Sequence, residues 1–157
     1  MSMKKPKYLL WIAVTEAVGL LSGLLSRGGA EIYNEMIEKP ALSPPAILFP
    51  IVWTILYALM GIGAARIAAS DYSVARSRAL NVFVIQLIVN FFWSLIFFNA
   101  QAFGFALLWL LLLWALIIVM IVLFWQVDKP AALLQIPYLL WVTFAAYLNY
   151  AVWQLNR

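Results

Sequence analysis

The sequence predicts an all-α membrane protein, a single domain built as a five-transmembrane-helix bundle, and three observations carry that prediction. The first is composition: of 157 residues 67% are hydrophobic and only 10% are charged, with a mean hydropathy of +0.99. So few polar side chains cannot cover a soluble domain of this size. The second is segmentation. Apolar runs near spanning length cover about residues 8–26, 47–69, 79–98, 103–126 and 131–153, too long for barrel strands. The third is charge placement: Lys4, Lys5, Lys7, Arg66, Arg76, Arg78 and Lys129 fall on one side of the spans, and Arg27, Lys39 and Arg157 on the other. That asymmetry places the amino terminus in the cytoplasm. The net charge of +4 is read as topology, and no nucleic-acid partner is expected.

Cysteine and histidine are both absent. Thiolate and imidazole metal sites, disulfides, histidine-ligated haem and the histidine-dependent nucleophilic triads go with them. Five helices use nearly the whole chain, which leaves no room for a soluble catalytic domain.

The first run, from Tyr8 to Ser26, is nearer to spanning length than to the apolar core of a signal peptide, and it contains Glu16. An intramembrane carboxylate must face the bundle interior or a watery cavity, or be protonated; Glu16 is either bonded to a neighbouring helix or functional. Gly19 and Gly23 form a GxxxG pattern suited to close helix approach. Between the first two spans, Ile32, Met36 and Ile37 have the spacing of a short amphipathic helix at the interface, ended by Pro40. Pro40, Pro44 and Pro45 then hold the chain extended up to the second span, where Pro50 falls in the first turns and Trp53 and Tyr57 follow on one face. This stretch reads either as a structured interfacial loop or as the rim and first wall of a pocket. Gly61, Ala65 and Ala69 form a small-residue face later in the same span.

The third span places Gln86, Asn90, Trp93 and Phe97 on one helix face. Carboxamides in hydrocarbon need partners, so this stripe serves either interhelical bonding or contact with a ligand. The fourth span is almost wholly apolar and is expected to be the helix most exposed to lipid, with Trp109 and Trp114 as packing or anchoring residues. In the fifth, Tyr138, Trp141, Ala145, Leu148 and Asn149 share a face. Pro137 removes a helical hydrogen bond beside it and is expected to kink the helix there, for packing or to open room for a ligand.

These segments resemble the translocator protein family, also called tryptophan-rich sensory proteins or peripheral-type benzodiazepine receptors. The resemblance rests on Lys39-Pro40 with Pro44-Pro45, on Pro50-x-x-Trp53-x-x-x-Tyr57, and on Gln86-Leu87-x-x-Asn90-x-x-Trp93 followed by Phe97-Phe98. It continues through Trp125-Gln126-Val127 and Pro137-Tyr138-x-x-Trp141-x-x-x-Ala145-x-x-Leu148-Asn149-Tyr150. It covers almost the whole chain and implies a five-helix bundle, commonly a homodimer, with a ligand pocket under the first loop. It further implies binding of protoporphyrin IX and other tetrapyrroles, of haem intermediates and of benzodiazepine-type ligands, with no required cofactor and no metal. The matching pocket residues are Trp53, Tyr57, Gln86, Asn90, Trp93, Tyr138, Trp141, Ala145, Leu148 and Asn149. The tryptophans matching Trp53 and Trp141 are those the family implicates in light-dependent breakdown of bound protoporphyrin.

The chain departs from the family at Ile32, where a Trp often precedes the Tyr, and at Leu42, where a Trp often follows the Lys-Pro pair, so two aromatic rim contacts are missing. Tyr150 has no basic residue after it until Arg157, and Gln154 stands where animal members carry Arg. Weak or no cholesterol recognition is therefore expected. A tetrapyrrole sensor, regulator or scavenger in a bacterial cell membrane is the favoured function. A porphyrin transporter, a photo-oxidative degrading enzyme and a purely structural membrane protein are the alternatives. Five spans without an internal repeat do not divide into two halves for alternating access, and Glu16 alone is not a convergent set of titratable groups.

Overall fold

The computed structural model describes residues 4–157. Five long apolar helical segments, Tyr8–Leu25, Leu48–Ala68, Val74–Asn99, Phe103–Trp125 and Lys129–Leu155, are each able to cross a membrane, and no strand occurs among the described residues. Helices satisfy their own backbone groups, which is the condition for crossing hydrocarbon. In chain order the helices are α1 (Tyr8–Leu25), α2 (Arg27–Met36), α3 (Leu48–Ala68), α4 (Val74–Ser94), α5 (Phe103–Trp125), α6 (Lys129–Leu133) and α7 (Ile136–Leu155). The short α2 occupies the interfacial stretch where an amphipathic helix is expected.

The spans form a ring in which α1 packs on α3 and α4, α4 on α5, and α5 on α7. The seam between α3 and α7 has few close backbone approaches and is bridged by aromatic side chains. Glycine on each helix sets the α1–α3 contact. A Cβ on Gly61 would lie 2.6 Å from Ile12 Cα, and one on Gly19 would enter the Tyr57 ring, whereas Gly23 faces open space. Only half of the GxxxG pattern is thus used in packing. Thr15 Oγ1 adds an interhelical bond to the Tyr57 carbonyl at 2.7 Å.

α5 is not the most lipid-exposed span. It lies between α4 and α7 and buries a stripe of Leu110, Leu113, Ile117, Met120 and Phe124. Its apolar window is 28% buried, against 11% for α1 at the edge of the bundle. Uniform hydrophobicity hides which face packs, because it leaves no polar side to mark the exterior. Trp109 Nε1 donates to the Val89 carbonyl at 2.7 Å and Trp114 Nε1 to Thr143 Oγ1 at 2.9 Å, tying α5 to α4 and α7.

Three features of the helix ends shape the bundle. α4 starts at Val74, five residues before the apolar run, because Ser73 caps it by accepting from the Arg76 amide at 3.0 Å. It ends in a π turn, Leu95–Asn99, whose wider winding turns Phe97 inward. The fifth span is interrupted rather than kinked. α6 ends at Leu133, and Pro137 falls in the first turn of α7, where its missing N–H leaves no interior bond broken. Gln135, fully buried at the break, donates to the Leu59 carbonyl at 3.1 Å and so holds the interruption against α3.

On the face where α1 begins, Asp128 accepts from Arg66 Nε at 2.7 Å and Nη2 at 3.2 Å while also capping α6 through the Ala131 amide at 3.1 Å. Asp128→Ala removes a cap worth about 1 kcal/mol and charge-assisted bonds worth about 1.5–3 kcal/mol. Thermal unfolding in detergent is expected to show a loss of about 2–4 kcal/mol, and a clearly smaller loss for Asp128→Asn, which keeps an acceptor for the cap.

Candidate functional site

The polar residues of α4 and α7 meet in the middle of the bundle. Tyr57 of α3 donates its hydroxyl to Asn90 Oδ1 in a short bond. Asn90 Nδ2 donates to Tyr138 Oη at 2.7 Å, and the Tyr138 hydroxyl donates to Gln86 Oε1 at 2.7 Å. All four side chains are buried, Gln86 and Tyr138 fully. The three helices are joined by one directional relay, Tyr57 to Asn90 to Tyr138 to Gln86. Inside low-dielectric packing such a chain is strong when complete and costly when broken.

Nearer the opposite face a second cluster forms. Trp93 Nε1 donates to Asn149 Oδ1 at 3.1 Å, and Asn149 Nδ2 donates to the Phe103 carbonyl at 2.8 Å. Trp93 stacks on Phe97 at 5.0 Å between ring centroids. Ala145 and Leu148 are buried on the same side of α7. The carboxamides Gln86, Asn90 and Asn149 thus all have protein partners, and their immediate role is to bond helices together.

The aromatic residues divide between two environments. Trp53 leans on Tyr57 at 5.6 Å and meets Tyr138 edge-on at 6.3 Å, so it covers the end of the relay. Trp141 packs edge-on against Phe49 at 5.8 Å and against Phe144 at 5.6 Å. It lines an open groove of about 390 Å³ between α3 and α7, together with Val52, Ile55, Leu56, Pro137, Leu140 and Phe144. The exposed Ile55 and Leu140 form its outer edge. Trp141 Nε1 is buried and, among the described residues, has no hydrogen-bond partner. Trp53 and Trp141 make no ring contact with each other among the described residues.

The first loop is fastened along its first half. α2 docks Tyr33 on Phe97 and Phe98, each at 5.3 Å, and Asn99 Nδ2 donates to the Leu25 carbonyl at 2.8 Å. Burial there pushes the Tyr33 hydroxyl up to about 12. Lys39 ends α2 by donating to the carbonyls of Asn34 at 2.9 Å and Ile37 at 3.2 Å, with its ammonium 5.2 Å from the Tyr33 ring centroid. Beyond it, Asn156 pairs its carboxamide with the Glu38 backbone, donating at 2.8 Å and accepting at 3.1 Å. Phe49, Thr15, Gln135 and Asn156 are the contributors that sequence reasoning missed. Helix register carried a signal for two of them: Phe49 lies one turn before Trp53, and Thr15 one turn before Gly19, on the faces those residues present to the bundle. Asn156 carried none.

The fold and these clusters define a multi-pass membrane protein with an interior of tryptophan, tyrosine and carboxamide side chains. The model of the TspO/MBR family matches residues 11–154, and the chain belongs to that family. It is 39% identical to the tryptophan-rich protein TspO of Chlorobaculum tepidum over 151 residues, 94% of each chain. It is 35% identical to protein CrtK of Rhodobacter capsulatus over 151 residues, 95% of this chain and 92% of the relative. With the translocator protein of Bos taurus it shares 33% identity over 141 residues, 88% of this chain and 83% of the relative.

Tyr138→Phe leaves both Asn90 Nδ2 and Gln86 Oε1 without partners, whereas Tyr57→Phe orphans Asn90 Oδ1 alone. At roughly 1–3 kcal/mol for each buried orphan, thermal unfolding is expected to show about twice the loss for Tyr138→Phe. Equal losses would mean that the relay does not run through Tyr138.

Proposed function

We propose that the protein binds flat aromatic ligands, tetrapyrroles such as protoporphyrin IX above all, at the seam between α3 and α7, and serves as a tetrapyrrole sensor, regulator or scavenger. The observation that carries this reading is the open apolar groove there, bordered by Trp141, whose N–H has no partner among the described residues. Its volume of about 390 Å³ lies in the roughly 300–1,000 Å³ range of small-molecule sites. Membership of the family supports the reading, as does the name of a relative in Cereibacter sphaeroides, tryptophan-rich sensory protein, 31% identical over 156 residues. A planar ligand lying between the helices gains stacking on Trp141 and Phe144 and gives the Trp141 N–H an acceptor. Benzodiazepine-type ligands fit the same description, and a sterol, with neither aromatic face nor a basic residue near Tyr150 to meet it, does not.

Titration of the purified protein with protoporphyrin IX in the dark, followed by tryptophan quenching, tests the site. Trp141→Phe, which keeps an aromatic ring and removes the N–H, is expected to weaken binding about 2- to 12-fold, the equivalent of the roughly 0.5–1.5 kcal/mol of one hydrogen bond. Trp53→Phe, facing the relay, is expected to have the smaller effect. If Trp141→Phe, Trp53→Phe and Asn90→Ala all bind like the parent protein, the assignment is wrong. Illumination of the bound complex separates binding from breakdown: an unchanged porphyrin spectrum rules out photodegradation and leaves binding intact.

The same reading puts the protein in a bacterial cell membrane with the amino terminus in the cytoplasm, on the strength of seven basic residues at one face against three at the other. The chain has no cysteine, so a single Lys5→Cys substitution is a clean reporter. An impermeant maleimide is expected to label it only after cells are opened; labelling of intact cells would reverse the orientation.

A further inference from the structure

We propose that the seam between α1 and α4 holds one anionic phospholipid, with its headgroup on a basic cluster at the amino-terminal face and an acyl chain in a groove above it. Two separate features support this assignment, one between the helices and one where the chain enters them on the amino-terminal face. The first is a groove of about 230 Å³ lined only by apolar residues, Val18 of α1 and Val84, Leu87, Ile88, Phe91 and Phe92 of α4. The helices are held together on either side of it. Trp11 meets Phe83 edge-on at 6.1 Å, and Ser22 Oγ donates to the Phe91 carbonyl at 2.9 Å. Between those contacts Val18 and Val84 both line the groove, and Val84 and Ile88 remain exposed.

The second feature is a convergence of like charge below the groove. Lys4 Nζ and the Arg76 guanidinium both lie over the Tyr72 ring, 5.7 Å and 4.5 Å from its centroid. Tyr72 is itself 81% exposed. Backbone bonds fix the arrangement: the Lys4 amide donates to the Ala69 carbonyl at 2.8 Å, and Arg76 Nη2 to the Ala68 carbonyl at 2.9 Å. Lys5, Lys7 and Arg78 are exposed in the same two segments of chain, and Asp71 is the one carboxylate in the adjoining turn. An aromatic ring at the membrane interface flanked by cations is suited to a phosphodiester, each nearby Lys or Arg adding to its attraction.

The heights agree. Arg76 and Val84 are eight residues apart, about 12 Å along α4, and Ile88 is about 6 Å further. One leaflet contributes about half of a hydrocarbon core roughly 30 Å thick. A phospholipid with its phosphate at Arg76 therefore brings its chain end to the Val84–Ile88 part of the groove.

The test compares spin-labelled phosphatidylglycerol with phosphatidylcholine of identical chains, bound to the protein in bilayers. About a tenfold preference for phosphatidylglycerol is expected, falling below about threefold in the Lys4→Gln/Arg76→Gln double variant. Val84→Trp, which fills the groove and leaves the charges, is expected to release both lipids. Should the double variant not fold, the parent protein serves, since high salt screens exposed charges and must collapse the preference. Equal binding of the two lipids, a preference that survives both salt and the charge substitutions, or full competition by free glycerol phosphate would each overturn the proposal.

Discussion

A polar side chain inside hydrocarbon must find its partner within the protein, and the relay from Tyr57 through Asn90 and Tyr138 to Gln86 is how this chain meets that demand. Each donor in the relay has one acceptor, and the relay ties α7 to two helices far from it in sequence, α3 and α4. Apolar packing alone would leave the rotation of α4 and α7 weakly determined, because leucine and valine contacts are similar on every face. The relay selects one rotation for each helix. Once Asn90 is turned inward, Gln86 and Trp93 follow at one turn either side, and Trp93 then meets Asn149.

The ends of the bundle are held by a different chemistry. On the amino-terminal face, Arg66 and Asp128 join α3 to the start of α6, and Gln135 keeps the helix interruption against α3. On the other face the fastenings are carboxamide to backbone, Asn99 to Leu25 and Asn156 to Glu38. Those bonds engage backbone at the end of α1 and just after α2, and they fix the chain immediately before the proline-rich segment that leads into α3. Pro40, Pro44 and Pro45 limit what that segment can do. The loop is positioned by bonds along its first half, and its second half is stiffened by its own covalent structure.

Much of this was legible in the sequence. Hydropathy located the five spans, because a membrane helix must be long and apolar, and the spacing of Gln86, Asn90, Tyr138 and Asn149 placed them on inward faces. The destination of those side chains was not legible. Register shows that Asn90 and Gln86 share a face, but it cannot show that Tyr138 supplies a partner to both of them. The break before Pro137 was also hidden, since proline's covalent limits suit a kink in a helix interior and a first turn equally well; the buried Gln135 bond to Leu59 decides between them. α5 misled for the opposite reason, carrying so little polarity that no exterior face was marked. Asn156 gave no signal, because a lone carboxamide after the last helix looks like any surface residue.

The closed relay also constrains how the groove between α3 and α7 can recognise anything. Gln86, Asn90, Tyr138 and Asn149 have hydrogen bonds met internally, so a ligand that engages them must first displace a protein partner. At roughly 1–3 kcal/mol for each group left unpaired, that exchange yields little net affinity. The aromatic surfaces of Trp141 and Phe144 carry no such cost. Trp141 Nε1 is different again: buried and without a partner among the described residues, it gains from any acceptor brought within reach. Selectivity at this seam therefore favours flatness and one well-placed acceptor over an array of polar groups. The carboxamide stripe contributes indirectly, by holding α7 at the rotation that turns Trp141 toward α3.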